Sequence, residues 1–351
     1  QDEGGQASVF ITPKAQWQTD NSAYSITLFA RWDDEDNERS HADIREATWL
    51  YVADDWELKL GMGKVFWGVT ETQHLVDIIN QTDAVEFIDG EEKLGQPMLQ
   101  LSTIRDWGVL DLFVLPYFRE RTFSAADARL SGGLDLSADA IYESSAEEQH
   151  IDFSLRYSHV IGPIDLGVSY FEGTNRQPVY VPVSPLSPFV FAPYYDQLQQ
   201  FGIDAQATLG SWLWKLEAVA RDDSFFRYAA STAGFEYTFY GIGDSVIDSG
   251  WLLEFSRDSR GLRGSAIAQK DIAIAQRLAF NDVGSSEILL GATVDLDDES
   301  VYTAFVEASR RFGNNWKFNL DAWLFAGERP ADITTLIRRD DFVQLSVAYY
   351  F

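Results

Sequence analysis

Histidine and cysteine carry the chemistry of many active sites, and this sequence contains four histidines and no cysteine. None of His41, His74, His150 and His159 lies at a spacing typical of a Ser–His pair or of a set of metal ligands. His74 has acidic residues close to it in the sequence, yet a single histidine in a polar loop usually has no catalytic role. We therefore expect a protein that is not an enzyme and that holds no metal or other cofactor.

The stretch 68–97 combines acidic residues with apolar ones such as Val76, Ile79 and Phe87. An exposed loop gains nothing from apolar side chains, so this stretch is expected to pack on another part of the protein. If it folds into the lumen of a β-barrel, its carboxylates form an acidic constriction. The alternative is an external hairpin that packs on neighbouring loops. The predicted constriction residues are Asp77, Asp83, Glu86, Asp89, Glu91 and Glu92.

A second set of charged residues alternates with apolar residues along the chain. In a transmembrane barrel such side chains line the water-filled interior, where their charges set ion selectivity. The alternative is that they pair across neighbouring strands and only fill the barrel wall. The predicted pore-lining residues are Lys59, Asp152, Arg156, Asp165, Asp204, Lys215, Glu217, Arg221 and Asp321.

The alternation itself predicts the elements that position these residues, because side chains on a strand point alternately to its two faces. Residues 151–158 place Ile, Phe, Leu and Tyr on one face and Asp, Ser and Arg on the other. Residues 164–170 repeat the pattern after a Gly-Pro turn, which predicts a hairpin with one apolar and one polar face. The same alternation recurs in 24–32, 201–209, 212–221 and 316–324.

Strands of about ten residues with one apolar face are what an outer-membrane barrel requires. A soluble β-sandwich also alternates, but its strands are mostly about five or six residues long. Short turns and long loops alternate along the sequence, as periplasmic turns and extracellular loops do. We predict an all-β protein, a transmembrane antiparallel up-and-down β-barrel of 16 or 18 strands, since such barrels have even strand numbers. The number of alternating stretches that could form strands is odd, and the alternation is weakest in 98–106 and 271–281.

The last stretch of the chain alternates apolar residues with Gln, Ser and Ala and stops on an aromatic residue. This pattern resembles the C-terminal strand by which the barrel-assembly machinery recognises outer-membrane barrels. The resemblance implies an assembly signal at Val347, Tyr349 and Phe351. The alternative is an ordinary terminal strand that ends on Phe by chance.

Composition narrows the class further. Aromatic residues make up 14% of the chain, with 11 Trp, 15 Tyr and 24 Phe, and membrane barrels place such rings at both water–lipid borders. The formal net charge of −28 argues against nucleic-acid binding, because the phosphate backbone would repel the protein. No run of apolar residues reaches the roughly 18 that a spanning helix needs. The chain begins with Gln1 and shows no signal peptide, which is the pattern of a processed export product.

Several short motifs resemble segments of a broad family of Gram-negative outer-membrane barrels that includes the alginate-export-like porins. The motifs are Gly63-Lys64, Trp67-Gly68, the run Val76-Asp77-Ile78-Ile79-Asn80-Gln81-Thr82-Asp83, the run 277–282 and the run 338–341 with the final Tyr350-Phe351. Gln81 stands where the usual pattern has proline. The resemblance implies export or diffusion through the outer membrane and names no substrate.

We predict a single transmembrane barrel domain over 1–351, located in the bacterial outer membrane. Its expected role is a porin-like channel for small or elongated polar solutes, and the acidic balance of the chain favours cations. The alternatives are a barrel partner of an export or lipid-transfer system with little free conductance, and a surface protein that acts through its loops. Expected partners are outer-membrane lipid, lipopolysaccharide and the barrel-assembly machinery, with a second copy of the chain or a periplasmic transport protein as further candidates.

Overall fold

Strands dominate the computed structural model, which describes residues 5–136, 138–184, 187–263, 269–329 and 332–351. Over these residues, one short α-helix, α1, covers Ile333–Leu336. Within the described residues, no helix combines the length and the apolarity that crossing a membrane would take. The strands are β1 Ser8–Ile11, β2 Lys14–Gln18, β3 Ser22–Asp33, β4 Ala42–Val52, β5 Trp56–Gly63, β6 Gln96–Arg105, β7 Gly108–Leu115, β8 Ile141–Tyr142, β9 Asp152–Ile161, β10 Ile164–Thr174, β11 Val179–Ser184, β12 Ser187–Tyr195, β13 Gln197–Leu209, β14 Trp212–Asp223, β15 Arg227–Phe239, β16 Asp248–Asp258, β17 Lys270–Ala279, β18 Glu287–Asp295, β19 Tyr302–Phe312, β20 Trp316–Ala326 and β21 Phe342–Tyr349.

Eighteen of these strands form one large antiparallel sheet in which chain neighbours pair with each other. The remaining strands, β8, β11 and β12, form a small separate sheet from loop residues. Every strand of the large sheet reverses the direction of the one before it, apart from β1 and β2, which lie end to end along the same edge of β3. The predicted all-β, up-and-down architecture is therefore confirmed, with the higher of the two predicted strand numbers.

The weakest predicted stretches, 98–106 and 271–281, are both strands, β6 and β17. The sequence shows an odd number of strand-like stretches because the first of them counts once. In the structure Thr12-Pro13 divides that first stretch into two strands, β1 and β2. Proline has no backbone N–H to donate to a ladder. The interruption thus follows from the residue type at position 13.

The period-two pattern determines which side chains face outward. On β13, β14 and β16, the outward Phe201, Trp214 and Phe255 are between 42% and 54% exposed, whereas the inward Glu217 and Glu254 are at most 1% exposed. A soluble protein would bury the first group and expose the second. The inversion indicates that hydrocarbon surrounds the outer face of the sheet.

Aromatic rings cluster where the strands meet the short turns. Trp212 packs against Tyr237 with ring centroids 4.6 Å apart, and Trp316 packs against Tyr349 at 4.8 Å. Rings that carry a polar atom favour the lipid–water border, where one end is apolar and the other is wet. The aromatic residues of this girdle include Trp17, Tyr24, Tyr51, Trp56, Trp107, Tyr157, Trp212, Tyr237, Trp316 and Tyr349.

A glycine on β10 allows charged side chains to meet across the inner face. Arg156 on β9 reaches over β10 to Asp204 on β13, with the two side chains joined by hydrogen bonds of 2.7 and 2.8 Å. A Cβ atom on Gly167 would collide with both side chains. Glycine at this position therefore keeps open the space that the ion pair occupies.

Candidate functional site

Residues 64–95, which we call the inner segment, connect β5 to β6 and pack against the inner face of the sheet. The apolar side chains of Val76, Ile78 and Ile79 are at most 2% exposed. They form one buried cluster with inward residues of six strands, and complete burial of such a side chain stabilises the fold by about 1.5–3 kcal/mol. The strand residues of this cluster are Met98, Phe113, Leu115, Phe171, Leu198, Val219 and Ala230.

The inner segment also contacts strands near both edges of the sheet. Glu86 pairs with Arg31 on β3 at 2.6 Å, and the ring of Phe87 meets Trp323 on β20 and Phe342 on β21 at about 6 Å. Strands from β3 to β21 thus touch the same stretch of chain from different sides. The sheet therefore wraps around the inner segment.

Two buried glutamates hold the backbone of the inner segment. One carboxylate oxygen of Glu217 accepts hydrogen bonds from the N–H groups of Val69 and Thr70 at 2.7 and 3.0 Å, and the other accepts from Val76 at 3.1 Å. Glu254 accepts from the N–H groups of Glu71 and Thr72, both at 2.9 Å. Bonds from N–H groups to a charged acceptor are stronger than neutral ones. These carboxylates therefore act as anchors on β14 and β16.

Arginine side chains bind carbonyl groups of the inner segment from the same wall. Arg221 donates to the Leu75 oxygen at 3.0 Å, and Arg176 donates to the Ile79 oxygen at 3.3 Å. Asn80 joins the two ends of the segment, since its side chain donates to the oxygens of Gly63 and Leu94, both at 2.9 Å. The backbone groups of the segment thus find partners away from bulk water, as a buried loop requires.

The six predicted constriction residues divide into two groups. Asp77, Asp83 and Glu86 are buried and take part in ion pairs with Lys93, Arg45 and Arg31. Burial alone would raise the pKa of Asp83, but hydrogen bonds from His41 and Thr122 and the charge of Arg45 lower it to about 2. Asp83 and Glu86 therefore connect the inner segment to the barrel wall, whereas Asp77 pairs with Lys93 within the segment itself.

The second group, Asp89, Glu91 and Glu92, faces the open interior. Glu91 contacts His74 at 2.6 Å and Glu92 approaches Lys64 at 3.6 Å. Desolvation inside the barrel is the main cause that raises the pKa of Asp89 to about 6, and the negative charges of Glu91 and Glu92 add to it. These three carboxylates are exposed to the interior rather than buried against the wall.

The predicted pore-lining residues all point to the inner face, but most are covered by the inner segment. Lys59, Asp165 and Asp321 remain at least partly exposed to the interior. The others are at most 9% exposed. Asp152 pairs with Arg176 and contacts His150, and the rest bind one another or the segment. The covered residues are Asp152, Arg156, Asp204, Lys215, Glu217 and Arg221.

A cavity of about 2600 Å³ lies beside the inner segment. Its lining extends from Thr334 and Ile337 near the long loops to Lys317 and Tyr350 near the short turns, and it also reaches outward residues of β21 such as Val343 and Leu345. Fourteen Lys and Arg residues and eleven Asp and Glu residues line it, although the formal net charge of the chain is −28. The acidic excess of the protein therefore lies outside this cavity. The predicted constriction residues that line it are Asp77, Glu86, Asp89, Glu91 and Glu92.

The cavity wall also contains an aromatic patch that the sequence analysis missed. Phe305, Trp323 and Phe342 occupy inward positions on β19, β20 and β21 and lie next to each other in register. A signal was present in the sequence, because Trp323 continues the polar register of Asn319 and Asp321 rather than the apolar one. Aromatic residues at lumen positions depart from the expected alternation.

His41, Asp83 and Glu86 bring three potential metal-ligand atoms within 4.8 Å of one another. Arg45 and Arg31 already bind these two carboxylates. The guanidinium groups supply the positive charge that a cation would otherwise bring. We therefore interpret the cluster as an ion-pair network between the inner segment and β3–β4.

The predicted assembly-signal residues Val347, Tyr349 and Phe351 all lie on the outward side of β21 or just beyond it, and each is exposed. The strand alternates between intermediate and exposed residues along its whole length. Their recognition by the assembly machinery stays a prediction.

Comparison with known proteins identifies a fold rather than a family. No protein-family model matches this chain, and no curated protein matches it. Among solved structures, the chain is similar to Wzi from Escherichia coli, described as an outer membrane protein involved in group 1 capsule assembly and as a carbohydrate-binding β-barrel. The two share 11% identity with a TM-score of 0.55, over 97% of this chain and 77% of Wzi.

Variants of the Rhodopseudomonas blastica porin are also similar. One shows 14% identity and a TM-score of 0.46 over 99% of this chain and 91% of the porin. A triple mutant shows 13% identity and a TM-score of 0.44 over 98% and 91%. The likeness to Wzi confirms the predicted fold, which is that of an outer-membrane β-barrel.

Proposed function

We propose that this protein is a porin-like channel of the outer membrane, which passes small or elongated polar solutes and prefers cations. The observation that carries the proposal is the cavity beside the inner segment, whose lining extends from the long loops to the short turns. A water-filled path of this kind, lined by charged and polar groups, selects solutes by size and electrostatics. The resemblance to the alginate-export-like porins implies the same class of function.

Conductance in planar lipid bilayers tests this proposal. Purified, folded protein should give steady single-channel currents in potassium chloride, with a reversal potential that reports cation preference. Folded protein that inserts into the bilayer and carries no current at any voltage would contradict it. That outcome would favour the second candidate, a barrel partner of an export system, because the inner segment already fills part of the lumen.

The cation preference is attributed to the second group of constriction residues. The triple variant Asp89→Asn, Glu91→Gln, Glu92→Gln should lower the ratio of potassium to chloride permeability by about fivefold, since one charge at about 4 Å contributes about 1 kcal/mol even in water. The measurement is the reversal potential across a tenfold salt gradient. The matched control replaces the exposed loop acids Glu35, Glu38 and Glu299 with glutamine and should leave the ratio unchanged. An equal ratio in both triple variants would remove these three carboxylates from the selectivity mechanism.

The cation preference should also depend on pH. The pKa of Asp89 is raised to about 6, so this carboxyl is charged at pH 8 and becomes neutral as the pH falls below 6. Glu91 and Glu92 on the same segment and Glu307 and Asp321 on the facing strands surround it with further negative charge. We expect the reversal potential to move toward zero on acidification through pH 6. In Asp89→Asn this change of the reversal potential near pH 6 should disappear. If the variant shows the same pH dependence as the native protein, another group causes the effect.

A further inference from the structure

Three adjacent strands present matched rows of side chains to the cavity. Phe305, Trp323 and Phe342 pair across β19, β20 and β21 and form an aromatic row. The rings of Phe305 and Trp323 are stacked, with centroids 5.0 Å apart and an interplanar angle of 21°. All three residues line the cavity and remain partly exposed to it. These rings therefore expose apolar surface to a polar lumen, where contact with lipid cannot stabilise it.

A polar row lies directly beside the aromatic row, on the turn side. Its members, Glu307, Asp321 and Gln344, also pair across the three strands. Inward positions on one strand are two residues apart, which separates the rows by about 6.6 Å. A third row, Ser309, Asn319 and Ser346, follows at the same spacing.

We propose that these rows form a binding subsite for a neutral oligosaccharide, a proposal that rests on the channel function proposed above. A pyranose ring has apolar C–H faces and a rim of hydroxyl groups. Stacking a sugar face on the aromatic row brings the hydroxyls of that ring and its neighbour toward the carboxylates and amides of the two polar rows. Ligand sites of this kind combine an apolar surface with a few polar groups that fix orientation.

The charges around the rows determine the class of saccharide. Glu307 and Asp321 lie in the middle row, and Asp89 of the inner segment approaches both closely enough to interact electrostatically with them. Within the described part of the chain, the nearby cations are Arg277, which already pairs with Glu287, and Lys317, so the three carboxylates outnumber the free cations beside the rows. Carboxylates accept hydrogen bonds from neutral hydroxyl groups. They would repel the carboxylates of an acidic saccharide. The subsite should therefore bind neutral chains and reject uronic acid chains.

A simpler role for the aromatic row is to hold Phe87, whose ring meets Trp323 and Phe342 edge-on at 6.1 and 6.0 Å. That role explains two of the three rings. Phe305 stacks on Trp323 and no ring contact joins it to Phe87 among the described residues. An experiment can separate the two roles, because only a binding subsite makes the current depend on added oligosaccharide.

The test is the blocking of single-channel current by maltohexaose, a neutral hexasaccharide, with tri-galacturonate as the acidic comparison. We expect maltohexaose to interrupt the current of the native protein reversibly and tri-galacturonate to have at least about tenfold weaker effect. Trp323→Ala should raise the half-blocking concentration of maltohexaose by about tenfold, the effect of losing one stacking contact. The matched control is Trp214→Ala, a substitution on the lipid-facing side, which should leave blocking unchanged.

The possible outcomes separate the subsite from the channel. If ionic current persists but maltohexaose never interrupts it, or interrupts it equally in Trp323→Ala, the subsite is wrong and the channel stands. If the acidic sugar blocks better, the charge argument is wrong. If no current flows at all, the channel is wrong, and equilibrium dialysis of maltohexaose against the native protein and Trp323→Ala in detergent then decides the subsite alone. Phe87→Ala adds a further check. If the aromatic row only holds the Phe87 ring, Phe87→Ala and Trp323→Ala should both loosen the inner segment and should change the current equally with and without maltohexaose.

Discussion

Replacing Glu217 and Glu254 with alanine is expected to release the inner segment from the barrel wall and to raise single-channel conductance severalfold. Glu217 accepts three backbone N–H groups of the segment, and Glu254 accepts two. A hydrogen bond to a charged group contributes about 1.5–3 kcal/mol, and a buried donor that loses its acceptor costs about 1–3 kcal/mol. The turn 69–72 would then gain more by entering water than by staying on the wall. Its departure would widen the open part of the lumen, and with it the path of ions in the proposed channel.

Conductance and proteolysis report this release independently. Trypsin should cleave the double variant after Lys93, which in the native protein is only partly exposed and contacts Asp77 at 3.4 Å. The matched control is Glu172→Ala, which removes an exposed glutamate from β10 and should change neither readout. If the double variant keeps native conductance and resists trypsin, the apolar cluster around Ile79 holds the segment without these carboxylates.

The fold could be predicted from the sequence because its main determinant is local. A strand in a barrel meets lipid on one side along its whole length, so the alternation of residues such as Phe153 and Leu155 with Ser154 and Arg156 is visible within a single stretch. The division of the first stretch into β1 and β2 was also accessible, since Pro13 removes one donor. The alternation does not show which inward side chains stay exposed to the lumen and which the inner segment covers.

The candidate site depends on pairings between distant parts of the chain. Glu217 had the pattern of a pore-lining residue, yet it lies beneath the inner segment, 147 residues away in sequence from the Thr70 N–H that it binds. Asp83 had the pattern of a constriction residue, yet Arg45 and His41 hold it against the wall. An acidic residue type specifies a charge but not a partner. Its exposure is decided by which distant cation the fold brings to it.

Net charge illustrates the same limit. The chain carries a formal net charge of −28, which suggested an acidic pore, while basic residues slightly outnumber acidic ones in the cavity lining. In the proposed channel, selectivity would therefore depend on the arrangement of charges rather than on their sum. Arg31, Arg45 and Arg176 pair with buried carboxylates, whereas Asp89 lies close enough to Glu307 and Asp321 to interact with them electrostatically.

Arg176 and Asp152 form the ion pair whose disruption should cost the most stability. The Arg176 side chain is 4% exposed and the Asp152 side chain 1%, and their nearest atoms are 2.6 Å apart. Arg176 also donates to the Ile79 oxygen and lies over the rings of Phe118 and Phe171. Arg176→Gln takes the guanidinium away from a buried carboxylate and leaves it only the His150 ring, 2.8 Å away, as a basic partner; breaking such a pair typically costs about 3–5 kcal/mol. Urea unfolding in lipid vesicles, followed by tryptophan fluorescence, should show this loss as a lower midpoint.

A double-mutant cycle separates the pair from the general effect of changing a buried residue. Asp152→Asn should also destabilise the barrel, but the double variant should lose less than the sum of the two, by about 1–3 kcal/mol, because contacting residues are not additive. Arg227 pairs with Asp222 on the exposed surface, and Arg227→Gln provides the control, since an exposed ion pair contributes little. Additive losses in the cycle would mean that Arg176 stabilises the loop through Phe118, Phe171 and Ile79 rather than through Asp152. In that case the inner segment, and not the charge on β9, would be the partner that Arg176 secures.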